Sequence, residues 1–189
     1  NYEDILPLKR LDTLKIASIS IGEDGKDFHL MLSNYAPITK FSIKENPSTK
    51  EQRELLDKLV EFNLVIVGIH KSNENPWLKH NIKRNTDLFL QILAIQSKVI
   101  LSVFANPYSI NDLRFTQNFD GLIMAYQNSI IAKEYVAQAL FGGISLKGKL
   151  PVSTKHYKNN SGLETKNIRL KYTIPEELGI SKILSYKID

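Results

Sequence analysis

The sequence predicts an α/β protein with a doubly wound, mainly parallel sheet of five or six strands and helices on both faces. Short runs rich in β-branched residues alternate with helical patterns through the first 141 of the 189 residues. Several of the runs are almost continuously apolar, which is typical of parallel strands covered on both faces. The segments between them carry helix-start signals. Because parallel strands need crossover connections, this alternation favours a sheet wound by right-handed crossovers.

Five runs are predicted as strands. Several of them, such as LVIVGIH and KVILSVFA, are mostly apolar, as expected of parallel strands covered on both faces. The predicted strands are residues 15–21, 38–43, 64–70, 98–105 and 121–127.

Helices are predicted between these strands. Ser48 with Glu51 forms a capping box, and Ser109 with Asp112 repeats that signature. A third helix is predicted at residues 82–97, a fourth after Ser129, and a weaker fifth at 26–34.

The alternation stops after Ser153, which predicts three parts in the chain. Residues 15–155 form the α/β domain, and residues 1–14 and 156–189 are linkers on either side. The net charge of +5 resides wholly in residues 142–189, which hold nine basic and four acidic residues. Its lysines are spread among apolar and amide residues without a dense basic block, which favours a solvated linker over a nucleic-acid site.

Composition excludes several kinds of chemistry. The chain has no cysteine, so disulfides, thiolate catalysis and zinc–thiolate sites are excluded. No apolar run approaches the ~20 residues of a membrane span. The four histidines lack metal-binding spacing, and the G-x-S-x-G and S-x-x-K motifs of serine enzymes are absent. We therefore expect no metal and no cofactor.

Ligands in an open α/β sheet bind beyond the carboxyl ends of the strands. The loop at residues 22–27 lacks both phosphate-binding glycine motifs, and its acidic residues would repel phosphate, so it is interpreted as a plain turn. The acids Glu23, Asp24 and Asp27 could resemble a magnesium pocket, but no second acidic cluster completes one.

The loop at residues 70–81 is richer in functional side chains. Asn75, Trp77 and His80 are candidate contacts of a sugar, because a tryptophan beside polar groups suits sugar stacking. Glu74 is the candidate acid there, since a glutamate can donate a proton. The alternative interpretation is a surface loop anchored by the tryptophan.

Three segments carry the specific motifs of the second half of the chain: FANPYSI, LIMAYQNSIIAKEYVAQALFGGI and KGKLPVS. Together they resemble the C-terminal α/β sandwich domain of glycoside hydrolase family 3, in particular its β-N-acetylhexosaminidase type. A lysine at position 149 replaces the usual arginine of the last motif. The matching motif residues, to which the resemblance assigns structural roles, are Asn106, Pro107, Tyr108, Phe141, Gly142, Gly148, Lys149, Leu150 and Pro151.

The resemblance implies that the chain is the middle piece of a secreted or periplasmic bacterial glycosidase acting on β-linked N-acetylglucosaminides. In that family the nucleophile lies on an N-terminal (β/α)8 barrel, so the barrel and a carbohydrate are the implied partners. The barrel motif Lys-His-x-Pro-Gly is absent here. In the β-glucosidase branch an acid/base glutamate falls where Glu74 lies, although the Gly-Asp-Arg that usually follows it is missing.

The tail carries a second resemblance. Residues 174–189 are similar to the lead-in to a serine β-lactamase-type domain, which some enzymes of this family carry downstream. The chain begins at an asparagine with neither an initiator methionine nor a signal peptide, which is expected of a piece of a longer protein. The alternative to the glycosidase hypothesis is a stand-alone flavodoxin-like module for ligand binding or signalling.

Overall fold

A computed structural model describes residue 1 and residues 4–71 and 81–173 of the chain. It contains one sheet of five strands, all parallel, in the order β2-β1-β3-β4-β5. The predicted fold class is confirmed. The elements in chain order are β1 (Ile16–Gly22), α1 (Lys26–Ser33), β2 (Ile38–Ile43), α2 (Thr49–Leu59), β3 (Leu64–His70), α3 (Arg84–Gln96), β4 (Lys98–Phe104), β5 (Gly121–Met124) and α4 (Ile130–Leu140).

The sheet is covered on both faces because alternate strand residues point to opposite sides. Helices α1 and α4 pack on one face, where Phe28 and Leu140 meet Ile66 in one buried cluster. Helices α2 and α3 pack on the other face. There Leu59 and Phe89 form a second buried cluster with the residues of β3 on either side of Ile66. The strands are continuously apolar because helices bury both of their faces.

Helix starts follow the predicted caps except at one place. The capping box of Ser48 and Glu51 is present at the start of α2. The predicted start at Ser109 is wrong, because Pro107–Asp112 forms a 3₁₀ segment and not an α-helix. The cap is Asn106, which lies before the predicted cap Ser109 in the chain. The Asn106 side chain accepts a hydrogen bond from Tyr108 N at 2.9 Å, and proline occupies the first helical position.

Strand β5 is shorter than predicted. It ends at Met124, and Ala125 N makes a last bond to Val103 O at 2.9 Å. Tyr126 then takes a positive φ of 66°, which turns the chain out of the sheet and toward α4.

The segment after α4 packs on the domain and contacts the residues that precede β1. Gly142 O accepts hydrogen bonds from Ile168 N at 2.9 Å and Arg169 N at 3.1 Å. The Arg169 guanidinium donates to Phe141 O at 2.7 Å and also to Leu8 O. These bonds join the segment before β1 to the segment after α4, at the end of α4. The division into two linkers and a domain stays a prediction.

Gly142→Ala is expected to destabilise the domain by about 2 kcal/mol. Gly142 has φ of 78°, and a Cβ there would lie 2.5 Å from Ile168 Cγ1 and 2.9 Å from Pro7 Cβ. The matched control is Gly148→Ala, because a Cβ at Gly148 meets nothing within 4 Å. Urea unfolding of both variants measures the difference, and equal midpoints would contradict the role of Gly142.

Candidate functional site

The strand order places a switch in winding direction between β1 and β3. After β1 the chain crosses to β2 on one side, and β3 lies on the other side of β1. The carboxyl ends of β1 and β3 therefore lie at the switch point of the winding. In doubly wound sheets this edge is where ligands bind.

The end of β1 is fixed to the end of β3 by backbone contact. Gly22 has φ of 92°, and any Cβ at this position would lie 2.5 Å from His70 O. Glu23 N then donates to His70 O at 3.1 Å. Glycine is required here because the left-handed conformation and the close approach exclude a side chain.

A chain of side-chain hydrogen bonds joins three strand ends at this edge. The Nδ1 atom of His70 lies 3.0 Å from Asn128 Oδ1, and Asn128 Nδ2 donates to Glu23 Oε2 at 2.8 Å. A carboxylate only accepts, so the amide nitrogen of Asn128 must face Glu23 and its oxygen must face His70. His70 Nδ1 therefore carries the proton, and Nε2 is the unprotonated nitrogen of the ring.

The His70 ring is held on both sides by apolar groups. It stacks on Phe104 with ring centroids 4.7 Å apart and meets the edge of Phe28 at 6.0 Å. The side chain is 0 % exposed, and its Nε2 has no hydrogen-bond partner among the described residues. Packing and one directed hydrogen bond thus fix the ring's orientation and tautomer.

Burial keeps both histidines of this region neutral. Desolvation lowers the pKa of His70 to about 4, against the hydrogen bond that His70 donates to Asn128, which raises the pKa. Desolvation and the nearby Lys40 ammonium lower the pKa of His29 to about 4. The His29 Nε2 atom lies 3.1 Å from Ser20 Oγ, so it is also engaged in the interior.

The acidic residues of the β1–α1 loop have separate partners. Asp24 Oδ1 accepts from Lys26 N at 2.8 Å, which caps the turn before α1. Asp27 pairs with the buried Lys133 at 3.8 Å, and Lys133 Nζ donates to Asp24 O at 2.9 Å. In the described part of the chain, no group of three His, Asp or Glu side chains converges on a metal position.

A cleft of about 620 Å³ opens beside this loop, between the start of α1 and β2. Ser20 and His29 line it beside the apolar Leu30 and Phe41, and its rim carries cations and anions together. The lining side chains include Glu23, Lys26, His29, Lys40 and Ser42. A neutral, hydroxyl-rich ligand suits such a rim better than a strongly charged one.

The predicted contacts Glu74, Asn75, Trp77 and His80 lie outside the described residues, so their roles stay predictions. The two ends of their loop are described. The Lys71 Nζ atom donates to Asn81 O at 3.1 Å and pairs with Glu45. This contact joins the loop's first and last residues at its base.

The motif residues of the second half of the chain have structural contacts. Phe141 is buried and stacks on Tyr35 with centroids 5.1 Å apart. Lys149 Nζ donates to Gly162 O at 2.7 Å, and Leu150 is buried. These residues hold the segment after α4 in place, and they lie away from the carboxyl ends of β1 and β3.

Three solved structures share this fold. A glycoside hydrolase family 3 β-N-acetylglucosaminidase from Paenibacillus sp. str. FPU-7 superposes with a TM-score of 0.54 at 16% identity, over 69% of this chain and 25% of the enzyme. A β-glucosidase from Listeria innocua in complex with glucose gives 0.63 at 16% identity, over 77% and 23%. A fungal multi-domain family 3 β-N-acetylglucosaminidase gives 0.58 at 19% identity, over 76% and 16%.

The fold is that of a domain within these larger enzymes. The chain spans a quarter or less of the length of each. No family model matches the chain, and no curated protein matches it either. Among the described residues, none of the helices is both long and apolar enough to cross a bilayer.

Sequence reasoning missed the residues that organise this edge. Asn128 lies 58 positions from His70 and 105 positions from Glu23, so no local pattern connects them. The one signal was His70 itself, a polar residue that closes an otherwise apolar strand. His29 and Lys133 lie on helix faces and carry no motif.

Proposed function

We propose that this chain is an accessory domain of a family 3 glycoside hydrolase that acts on β-linked N-acetylglucosaminides. In this proposal the domain supports a catalytic (β/α)8 barrel of the same protein and forms one wall of the sugar cleft. The protein is secreted or periplasmic, and a β-lactamase-type domain follows the tail. The likeness of the five-stranded sheet to a domain of the Paenibacillus and Listeria enzymes carries this proposal.

The geometry of the carboxyl edge supports a role beside a sugar. The cleft between the start of α1 and β2 is open, and its rim carries mixed charges. Glu23 on that rim is held through Asn128 by the buried ring of His70. The candidate loop with Glu74 leaves the same edge, directly after Lys71. In this proposal the described edge forms one side of a cleft that a second domain would complete.

The chemistry of hydrolysis requires that second domain. A retaining glycosidase places a nucleophile and an acid/base on opposite sides of the bond, with carboxylates roughly 5 Å apart. The resemblance assigns the nucleophile to the barrel. For this chain alone, we expect no hydrolysis of 4-nitrophenyl N-acetyl-β-glucosaminide, whereas the complete gene product is expected to hydrolyse it.

Glu74→Gln in the complete gene product decides the role of that residue. If Glu74 only walls the cleft, activity should change by less than about tenfold, because losing a general acid costs about 10²–10⁴-fold. The control is Glu61→Gln, an exposed glutamate that pairs with Lys15. A larger loss that azide restores would make Glu74 the acid/base.

Two outcomes would overturn the proposed function. One is a complete gene product that hydrolyses no β-linked glycoside, whatever its substituent at the sugar's second carbon. The other is micromolar binding of FMN, NAD or ATP to the present chain in calorimetry. That result would favour the flavodoxin-like alternative.

A further inference from the structure

We propose that Glu23 is a saccharide-binding residue, whose carboxylate accepts hydrogen bonds from sugar hydroxyl groups. The inference rests on the proposed function and names a contact that the cleft wall would make. Glu23 is the first residue after β1, it lines the cleft between the start of α1 and β2, and it is exposed to solvent.

The carboxylate is oriented from inside the domain. An exposed glutamate normally samples many rotamers, and holding it in one has an entropic cost. Here Asn128 Nδ2 holds Oε2 at 2.8 Å, and Asn128 is itself held by the buried ring of His70. A fixed acceptor binds a ligand with less loss of side-chain freedom than a mobile one.

The backbone that carries Asn128 is strained. Tyr126 has φ of 66°, a conformation that bulky residues rarely adopt, and Gln127 N closes a tight turn onto Ala125 O at 2.8 Å. Strain of this kind persists where the surrounding structure enforces it, and it is concentrated at functional sites. The turn carries the chain toward the contact that Asn128 makes with Glu23.

The chemistry of the carboxylate indicates the class of ligand. One oxygen accepts from Asn128, and the group retains lone pairs for further donors. The ligand must therefore donate hydrogen bonds. Phosphates and carboxylates are repelled by the charge, and the described residues do not supply the converging oxygens that a metal ion needs. Hydroxyl groups of a neutral sugar fit these requirements, and they suit the mixed charges of the adjoining cleft.

The test is a titration of the 189-residue chain with the β-1,4-linked disaccharide of N-acetylglucosamine, followed by ¹H–¹⁵N NMR. We expect saturable shifts at Gly22, Gly25 and Asn128. Glu23→Gln should weaken binding at least about fivefold, because a charged acceptor is lost while the amide oxygen still receives the bond from Asn128. The matched control, Asp57→Asn, removes the same charge from an exposed position on α2 and should change binding less than about twofold.

A variant of the supporting residue separates positioning from contact. Asn128→Ala leaves the carboxylate in place but frees it, so we expect weaker binding with an unchanged pattern of shifted residues. The inference is overturned if no saturable shifts occur at this edge up to the solubility limit of the disaccharide. Equal affinities of Glu23→Gln and the unaltered chain would also overturn it.

The two proposals can fail separately. Binding that depends on Glu23, together with a complete gene product that hydrolyses no glycoside, would leave the inference standing and remove the proposed function. Hydrolysis by the complete gene product, without saturable shifts at this edge, would leave the proposed function standing and remove the inference about Glu23.

Discussion

Lowering the pH from 7 to 5 is expected to reduce the free energy of unfolding by about 2 kcal/mol for each of two buried histidines. Burial lowers the pKa of His29 and of His70 from 6.5 to about 4 in the folded protein. The unfolded chain binds protons at these positions near pH 6.5, and the folded chain does not bind them until near pH 4. Their contribution is therefore complete above pH 6.5 and is lost progressively as the pH falls toward 4.

Groups facing these rings come from several packed elements. Asp24 favours the charged form of both rings, while Lys40 opposes protonation of His29, and Lys133 that of His70. The surrounding charges therefore partly cancel, and desolvation dominates.

Urea unfolding at a series of pH values measures the effect. His29→Gln should remove about half of the loss, and His156→Gln, in the segment after α4, is the control for losing a histidine elsewhere. An unfolding free energy that stays constant between pH 7 and pH 5 would contradict the neutral, buried state of both rings.

Asp87→Ala is expected to destabilise the protein by about 3 kcal/mol, since it breaks a buried charged network. The Asp87 side chain is 3% exposed. Its carboxylate accepts from Arg114 Nε at 2.6 Å, Arg114 N at 3.2 Å and Gln91 Nε2 at 3.2 Å. Removing the carboxylate leaves these donors without their acceptor and leaves a cavity beside α3.

Thermal and urea unfolding of Asp87→Ala test this expectation. The control is Asp57→Ala on the exposed side of α2, which should change stability by no more than about 0.5 kcal/mol. A loss for Asp87→Ala as small as that of the control would show that the network stabilises nothing.

The sequence alone determined the fold class, because its signals are local. Apolar runs such as residues 64–70 indicate strands covered on both faces, and the capping box at Ser48 and Glu51 fixes the start of α2. Both depend on residues within one or two turns of each other. The exception, the 3₁₀ segment at Pro107–Asp112, arose where two starts competed and the asparagine–proline cap lay earlier in the chain.

Only the tertiary structure decided the site. Strand order brings the exits of β1, β3 and β5 within reach of one another, and Asn128 then joins Glu23 to His70 across 105 and 58 positions of chain. Burial on β3, and not the identity of the residue, lowers the pKa of His70. Side-chain hydrogen bonds and desolvation act through space, so they arise only when the sheet has brought these strand ends together.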